Sequence, residues 1–364
     1  MATDPLLQMT SDGLFCPLGG FHIDPWEPVA HAVITHAHSD HARPGSKRYL
    51  TSKSGQQILQ LRLGTDQDIH SLAYGEQLQL GSVHLSLHPA GHILGSSQVR
   101  IEHRGQVCVV SGDYKTTPSP TAEPFEVLRC HHFVSECTFG LPIYRWPHEQ
   151  DVFTGIHNWW KAEQDRSRTC VLLVYALGKA QRVLAGLDPA IGPILGHGAV
   201  LRLLPAYRQQ NITFPPIEYA GLEQAKANRG RALVLAPPSA SGSTWIRKFG
   251  PVSLAMASGW MQVRGLRRRK GLDRGFVLSD HADWNGLNHA IQNTGADRVW
   301  LTHGSTATMT RWLREKGIDA STIPTRFEGE ADEPTESDEP SDLLNTAISE
   351  TTASTTPPAS PEVP

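Results

Sequence analysis

His36, His38, Asp40 and His41 stand within six positions of the run THAHSDHARPG. Imidazole and carboxylate are the groups a zinc-type ion takes, so four packed this tightly read as a metal centre, with a polar surface turn as the plain alternative. The apolar stretch from Ala32 to Thr35 reads as a buried strand running out into a loop. His36 and His38, two residues apart on an extended backbone, then point to the same side and can share one ion. Asp40 and His41 come from the turn that follows, and a second ion is a more natural target for them than crowding the first.

A dinuclear centre needs more ligands than this loop holds, and three other strand ends offer them. His92 follows VHLSLHPAG, Asp113 ends VCVVSGD and His303 ends RVWLTHG. His36, His38 and His92 would serve one ion, and Asp40, His41 and His303 the other. Asp113 would bridge, since the two oxygens of a carboxylate can span ions about 3.5 to 4 Å apart. Zinc suits a histidine-rich set; manganese could also support activity, because availability as well as affinity decides occupancy.

Asp24 in FHIDPW, the HAHSDH run, Gly91-His92 and Ser111-Gly112-Asp113 resemble, in order and strand-end placement, the metallo-β-lactamase superfamily. The later segments VSECTFG, LSDHADW and LTHG look like the three further motifs of the β-CASP nucleases, carried here by Glu136, His281 and His303. Closer still, the PLGGFHIDPWEPVAHAVITHAHSDHARPG, SGDYK, YALGKAQR, APPSASGSTW and GWMQVRGLRRRKGLDRGFVLSDHADW segments are similar to the bacterial ligase-associated DNA exonucleases. That resemblance spans about residues 11 to 327. It implies an αββα metallo-β-lactamase sandwich with an inserted β-CASP α/β domain and an active site in the cleft between them. It also implies two divalent ions, phosphodiester hydrolysis, exonucleolytic trimming of DNA in repair, and a ligase and a helicase as partners.

On that resemblance His281 is the acid that protonates the leaving oxygen, a role that suits an imidazole whose ordinary pKa is about 6.5. A histidine capping the helix that starts near Asp283 is its structural alternative. Glu136 orients His281 or a ligand histidine. Asp40 counts among the residues of the chemistry as well as among the ligands, Asp24 braces the loop, and Asp280 and Asp283 are neighbours without a role. A metal-binding histidine at His303 is the pattern of the ribonuclease J and mRNA-cleavage branches, whereas the eukaryotic crosslink-repair branch has an apolar residue there. An RNA-processing nuclease is therefore the nearest rival to the DNA reading, ahead of a small-molecule metallo-hydrolase and of a scaffold that binds nucleic acid without cutting it.

Phosphate contacts are expected from the densest basic run, Arg264, Arg267, Arg268, Arg269, Lys270 and Arg274, unless it is simply a solvated face. Ser239, Ser241, Ser243 and Thr244 in APPSASGST could approach a phosphate or form a plain loop. Gly178 and Lys179 sit where a strand turns into a helix N-terminus, a place that favours anions. Trp245, Trp260 and Trp284 flank this region as candidates for base stacking, with core packing the alternative.

The elements that must position these groups follow from the hydrophobic pattern. Strands and helices should alternate from residue 12 to about 145, followed by a helix over QDVFTGIHNWWKAEQ, a strand at CVLLVYALG, a helix at KAQRVLAGL and strands at ALVLAPP and VSLAMAS. Such α/β alternation with short loops predicts a parallel sheet inserted into the first domain. The expected division is residues 1–147 and 263–327 for the metallo-β-lactamase domain, 148–262 for the insertion, and 328–364 for a disordered tail.

The tail carries ten acidic residues and no lysine or arginine, and it hides the charge of the rest. The chain's net charge is −3, but residues 1–327 hold 33 basic against 26 acidic residues, a net +7 that suits a polyanionic substrate. A tail of that kind repels nucleic acid or competes with it; unchanged binding at low salt after deletion of 328–364 would refute this. At 364 residues, 39% hydrophobic, the chain can bury the cores of two domains. It has no apolar run near the ~20 residues of a membrane span, and MATDPLLQMT does not look like a secretory signal, so the expected location is the cytoplasm. Five cysteines without a C-x-x-C spacing argue against a disulfide framework or a zinc finger.

Overall fold

The computed structural model describes residues 6–326 except 264, 266, 267 and 269, and among these residues the strands form three sheets. The first takes six strands in chain order, from Gln8–Thr10 to Ile69–Leu72. The second orders seven strands, edge to edge, as Asp319–Thr322, Arg298–Thr302, His132–Glu136, Gln106–Val110, Ser97–His103, Val83–Pro89 and Gln77–Leu80. The third runs Glu218–Tyr219, Ile194–Gly196, Leu233–Ala236, Thr169–Leu173, Val252–Ala257 and Arg274–Phe276, every neighbouring pair parallel.

Alternation builds the first two sheets into a stack. In Val83–Pro89 the fully buried Val83, Leu85 and Leu87 face one way and exposed His84 the other, so one face of the strand is core. These residues join Phe21, Ile23, Val33 and Leu50 of the first sheet in a shared apolar core. The far face of the second sheet packs on the helices Trp284–Thr294 and Thr306–Glu315, and that of the first on Gln56–Leu63. Asp283, rather than His281, caps Trp284–Thr294, its Oδ1 accepting from the Gly286 N–H at 2.8 Å. Up to residue 145 the described elements are eleven strands and one α-helix, Gln56–Leu63, not the even alternation expected. Most of these strands pair with the next one in the chain.

The third sheet is covered on both sides, and its strands are correspondingly continuous: Thr169–Leu173 and Leu233–Ala236 are buried at every residue. Helix Glu149–Gln164 lays Val152, Ile156, Trp159 and Trp160 against it, one stripe at helical spacing. Each such side chain stabilises the packing by about 1.5 to 3 kcal/mol. The sheet continues past the expected boundary at residue 262, because Arg274–Phe276 pairs with Val252–Ala257. Among the described residues no helix is long and apolar enough to cross a membrane. The tail expected at 328–364 and Arg264, Arg267 and Arg269 lie outside the described residues.

Candidate metal centre

Three parallel neighbours of the second sheet, Gln106–Val110, His132–Glu136 and Arg298–Thr302, end at one edge and deliver Asp113, Glu136 and His303. The loop after Ala32–Val33 brings His36, His38, Asp40 and His41 to the same edge, and the loop between Pro89 and Ser97 brings His92. Gly112 makes the approach possible: its φ is +56°, and a Cβ there would come 2.7 Å from the Thr35 side chain.

Ligand-type atoms of His36, His38, His92 and Asp113 lie within 4.8 Å of one another, as do those of Asp40, His41 and His303. In the first group Nε2 of His36 and Nε2 of His92 stand 3.0 and 3.1 Å from Nδ1 of His38. Asp113 Oδ2 faces both groups, 3.6 Å from His36 Nε2, 3.9 Å from His92 Nε2 and 3.5 Å from His41 Nε2. Three nitrogens turned on one another repel unless a cation or protons lie among them. Three further buried atoms, His41 Nε2, His303 Nδ1 and Asp113 Oδ1, have no hydrogen-bond partner, although such groups are normally satisfied. This donor set fits two divalent ions with Asp113 facing both.

Hydrogen bonds behind the ligands fix their orientation. Asp24 accepts from His41 Nδ1 at 2.7 Å, from the Thr35 N–H at 2.8 Å and from the Thr35 hydroxyl at 2.6 Å. Thr35 Oγ1 in turn accepts from His36 Nδ1 at 3.1 Å. The Leu177 carbonyl accepts from His38 Nε2 at 3.2 Å, and the Asp280 carbonyl from His92 Nδ1 at 2.8 Å. Asp24 and His303 hold left-handed backbone, φ +45° and +55°, a strain of order 1 to 3 kcal/mol each that the surrounding packing must sustain. The His303 carbonyl accepts from the Cys137 thiol at 3.0 Å.

Burial lowers the pKa of His36 and His92 well below the ordinary imidazole range, and neighbouring imidazoles add to it. Burial lowers His303 as well. At His41 burial works in the same direction, but Asp113, Asp40 and Asp24 outweigh it and raise the group well above that range. Burial alone would raise Asp113; the positive charge of His41 and His281 instead holds it well below the carboxylate range.

His281 lies against this centre, its ring 4.6 Å from that of His92. Glu136 accepts from its Nδ1, at 2.9 and 3.1 Å to the two oxygens, and is itself held by the N–H groups of Tyr114 and Thr138. The indole N–H of Trp146 donates to the His281 carbonyl at 2.9 Å. Nothing in the sequence marked Trp146; the contact joins residues 135 apart.

The residues expected to touch nucleic acid fare differently. Lys179 is fully buried, its ammonium 3.1 Å from Asp280, so it turns inward and away from any phosphate: the charge is neutralised by a buried carboxylate that the sequence left without a role. Trp284 is buried against Trp312 and cannot stack on a base. Ser239 and Ser241 are exposed, while the half-buried Ser243 donates to the Ala240 carbonyl. Arg268, Lys270 and Arg274 are exposed. Trp260 is half-buried, its ring 4.7 Å from Phe139.

No family model matches the chain. Over 315 residues it is 31% identical to a probable DNA ligase of Opitutus terrae, a match that covers 86% of this chain and 30% of that protein. It is 26% identical over 118 residues to RNase aCSPSF2 of Saccharolobus solfataricus, covering 32% of this chain and 24% of the relative. A third match, 29% over 124 residues, is to the endoribonuclease YSH1 of Yarrowia lipolytica, covering 33% of this chain and 14% of that one. The chain thus spans less than a third of the length of each. Its fold is similar to that of a protein of unknown function from Enterococcus faecalis V583, with a TM-score of 0.56 at 12% identity, covering 81% of this chain and 79% of that one.

Proposed function

We propose that this chain is a metal-dependent nuclease that hydrolyses phosphodiester bonds in DNA from an end, as part of repair. The observation that carries the reading is the meeting, at one edge, of two ligand groups, Asp113 of the first lying 3.5 Å from His41 of the second, with a buried histidine–carboxylate pair, His281 and Glu136. His36, His38 and His92 would hold one ion, and Asp40, His41 and His303 the other. When bound, such ions polarise the phosphoryl oxygen and bring the pKa of water towards ~7. Glu136 takes the Nδ1–H of His281, so the imidazolium offers its Nε2–H to the leaving oxygen. General acid help of this kind contributes about 10²- to 10⁴-fold. A cleft of about 360 Å³ opens beside His281, bordered by residues 115–118, 146–149, 277–279 and 281–283 and by Arg182, a volume in the range of small-molecule sites. Exposed Arg268, Lys270 and Arg274 supply positive charge for a polyanion and speak against a lactam or thioester substrate.

The architecture we assign is the αββα sandwich, with the parallel third sheet as the β-CASP insertion, ending after Phe276. DNA and repair are favoured because the match covering most of this chain is to a protein named as a DNA ligase, of which it spans only 30%. That suggests a nuclease working beside a ligase. RNA processing is the second reading, favoured by the relatives named as ribonucleases and by His303. The deciding experiment is a time course of the purified chain on end-labelled single-stranded DNA and matched RNA, with zinc and manganese supplied separately and His281→Ala as control. Stepwise shortening of DNA supports the proposal and gives its polarity; preferential cutting of RNA moves the chain to the second reading.

A further inference from the structure

Two of the three histidines of the first ligand group are oriented from outside the sheets that carry them. The Leu177 carbonyl, which follows strand Thr169–Leu173, accepts from His38 Nε2; the Asp280 carbonyl, which follows Arg274–Phe276, accepts from His92 Nδ1. Both belong to segments that leave the third sheet. A carbonyl can only accept, so each contact places the imidazole proton on the nitrogen facing it and leaves the lone pair of the other for an ion. Those other nitrogens, His38 Nδ1 and His92 Nε2, are the pair 3.1 Å apart.

The two carbonyls are held by an assembly of buried charge. Asp280 Oδ1 takes a hydrogen bond from Arg182 Nη1 at 2.9 Å, and Oδ2 lies 3.1 Å from the Lys179 ammonium. Arg182 also donates to the Ser279 carbonyl and grips Glu149 with two parallel bonds, at 3.0 and 2.6 Å. Gln181 reaches back to the Gly178 N–H and the Ala176 carbonyl, fixing the peptides on either side of Leu177. Lys179, Arg182 and Asp280 are all buried. Burying such charges costs several kcal/mol per ion, and apolar residues of similar volume often serve stability as well or better. Stability therefore does not account for the network, whereas fixed placement of two carbonyls does.

We propose that the third sheet supplies half of the first ion's support: the Leu177 carbonyl, fixed by Gln181, and the Asp280 carbonyl, locked by Arg182, Lys179 and Glu149, set the tautomers of His38 and His92. Arg182 and Asp280 are then positioning residues, and binding of the first ion is linked to docking of the third sheet on the other two. Linkage of this kind is reciprocal, so the ion favours the docked arrangement by the same factor by which docking strengthens the ion. The inference rests on the metal-dependent reading above, and a binding measurement separates the failure of one from the failure of the other.

The experiment titrates the metal-free full chain with Zn²⁺ against a chromophoric chelator, and records Co²⁺ absorption as a second readout of coordination. The variants are Asp280→Asn, Arg182→Gln and Gly178→Ala. The last needs no loss of charge: Gly178 has φ +87°, and a Cβ there would lie 2.2 Å from Ile93 Cγ2, pushing the 177–178 peptide off His38. The expected result is two ions in the wild type and, in the variants, one ion weakened about 10- to 100-fold with the other unchanged and a Co²⁺ spectrum altered to match. Arg182→Lys should recover part of the loss. Variants that lose stability without ion by circular dichroism yet bind both ions as tightly as wild type would overturn the proposal, leaving the network a structural one. If an Asp280 or Arg182 variant does not fold, Gly178→Ala decides. A wild type that binds no ion would overturn the metal-dependent reading itself, and this inference with it.

Discussion

His38 and His92 lean on peptide carbonyls of the third sheet's loops, whereas His41 leans on Asp24, a carboxylate from its own sheet 2.7 Å away. A carbonyl fixes a tautomer without adding charge; a carboxylate does both and makes the imidazole a stronger donor to a metal. The first ligand group is thus assembled from far apart and depends on packing between sheets. The second draws on the first two sheets alone, with Asp40, Asp113 and Asp24 gathered around His41, and its strain sits in two residues, Asp24 and His303. One half of the centre is secured by architecture and the other by charge.

Asp113 is where the two halves meet, so its loss gives the largest effect expected here. In Asp113→Ala both ions should be lost and cleavage should fall below detection, with the circular dichroism of the fold retained. A well-folded variant that still binds two ions would show that the halves do not share this carboxylate. His38→Ala should also abolish cleavage but spare the second ion, and turnover by the folded variant would refute its assignment.

His281→Ala sharpens the contrast from the other direction, because His281 touches both halves through Asp113 and His92 but belongs to neither. Cleavage should drop about 10²- to 10⁴-fold with metal stoichiometry unchanged. Loss of an ion in that variant would make His281 a ligand rather than the acid. The strand ends that carry His92, Asp113 and His303 were legible because each closes an apolar run, whereas Glu136 and His281 were marked only by the resemblance, which left Glu136 to orient His281 or a ligand histidine. The supports of the first group were not legible. His38 and Leu177 are 139 residues apart, and His92 and Asp280 are 188 apart, so the contacts exist only once the sheets pack. Lys179 misled for the same reason: at a helix N-terminus it reads as an anion contact until Asp280, from another segment, is seen to neutralise it.

Perturbing the second group alone should leave the first intact. His303→Leu should reduce the bound ions from two to one, counted by elemental analysis after gel filtration. Asp24→Asn, which weakens the bond to His41 but keeps its shape, should cost about 10- to 100-fold in affinity for one ion. Because Asp24 also reaches His36 through Thr35, a smaller loss at the other ion is expected. Equal losses at both would erase the distinction between a half secured by charge and one secured by the third sheet.

His132 supplies the baseline for both halves, a largely buried histidine outside the ligand groups. Burial lowers its pKa to about 4, helped by the positive charge of Arg298 and opposed by Asp319, and its ring packs edge-on against Trp300 at 4.3 Å. An unfolded histidine titrates near 6.5, so between about pH 6.5 and 4 the unfolded chain takes up a proton that the native chain refuses. Stability tied to His132 is therefore complete above pH 6.5 and is lost as pH falls towards 4. The shift sets an upper bound of about 3 kcal/mol. Urea unfolding of the metal-free chain at pH 7.5 and pH 5 should show a smaller acid loss in His132→Asn than in wild type, the other histidines contributing equally to both. Equal losses would mean that His132 is protonated in the folded chain, and that burial alone does not keep an imidazole neutral in this sheet. The lowered pKa of His36 and His92 would then have to come from their neighbouring imidazoles.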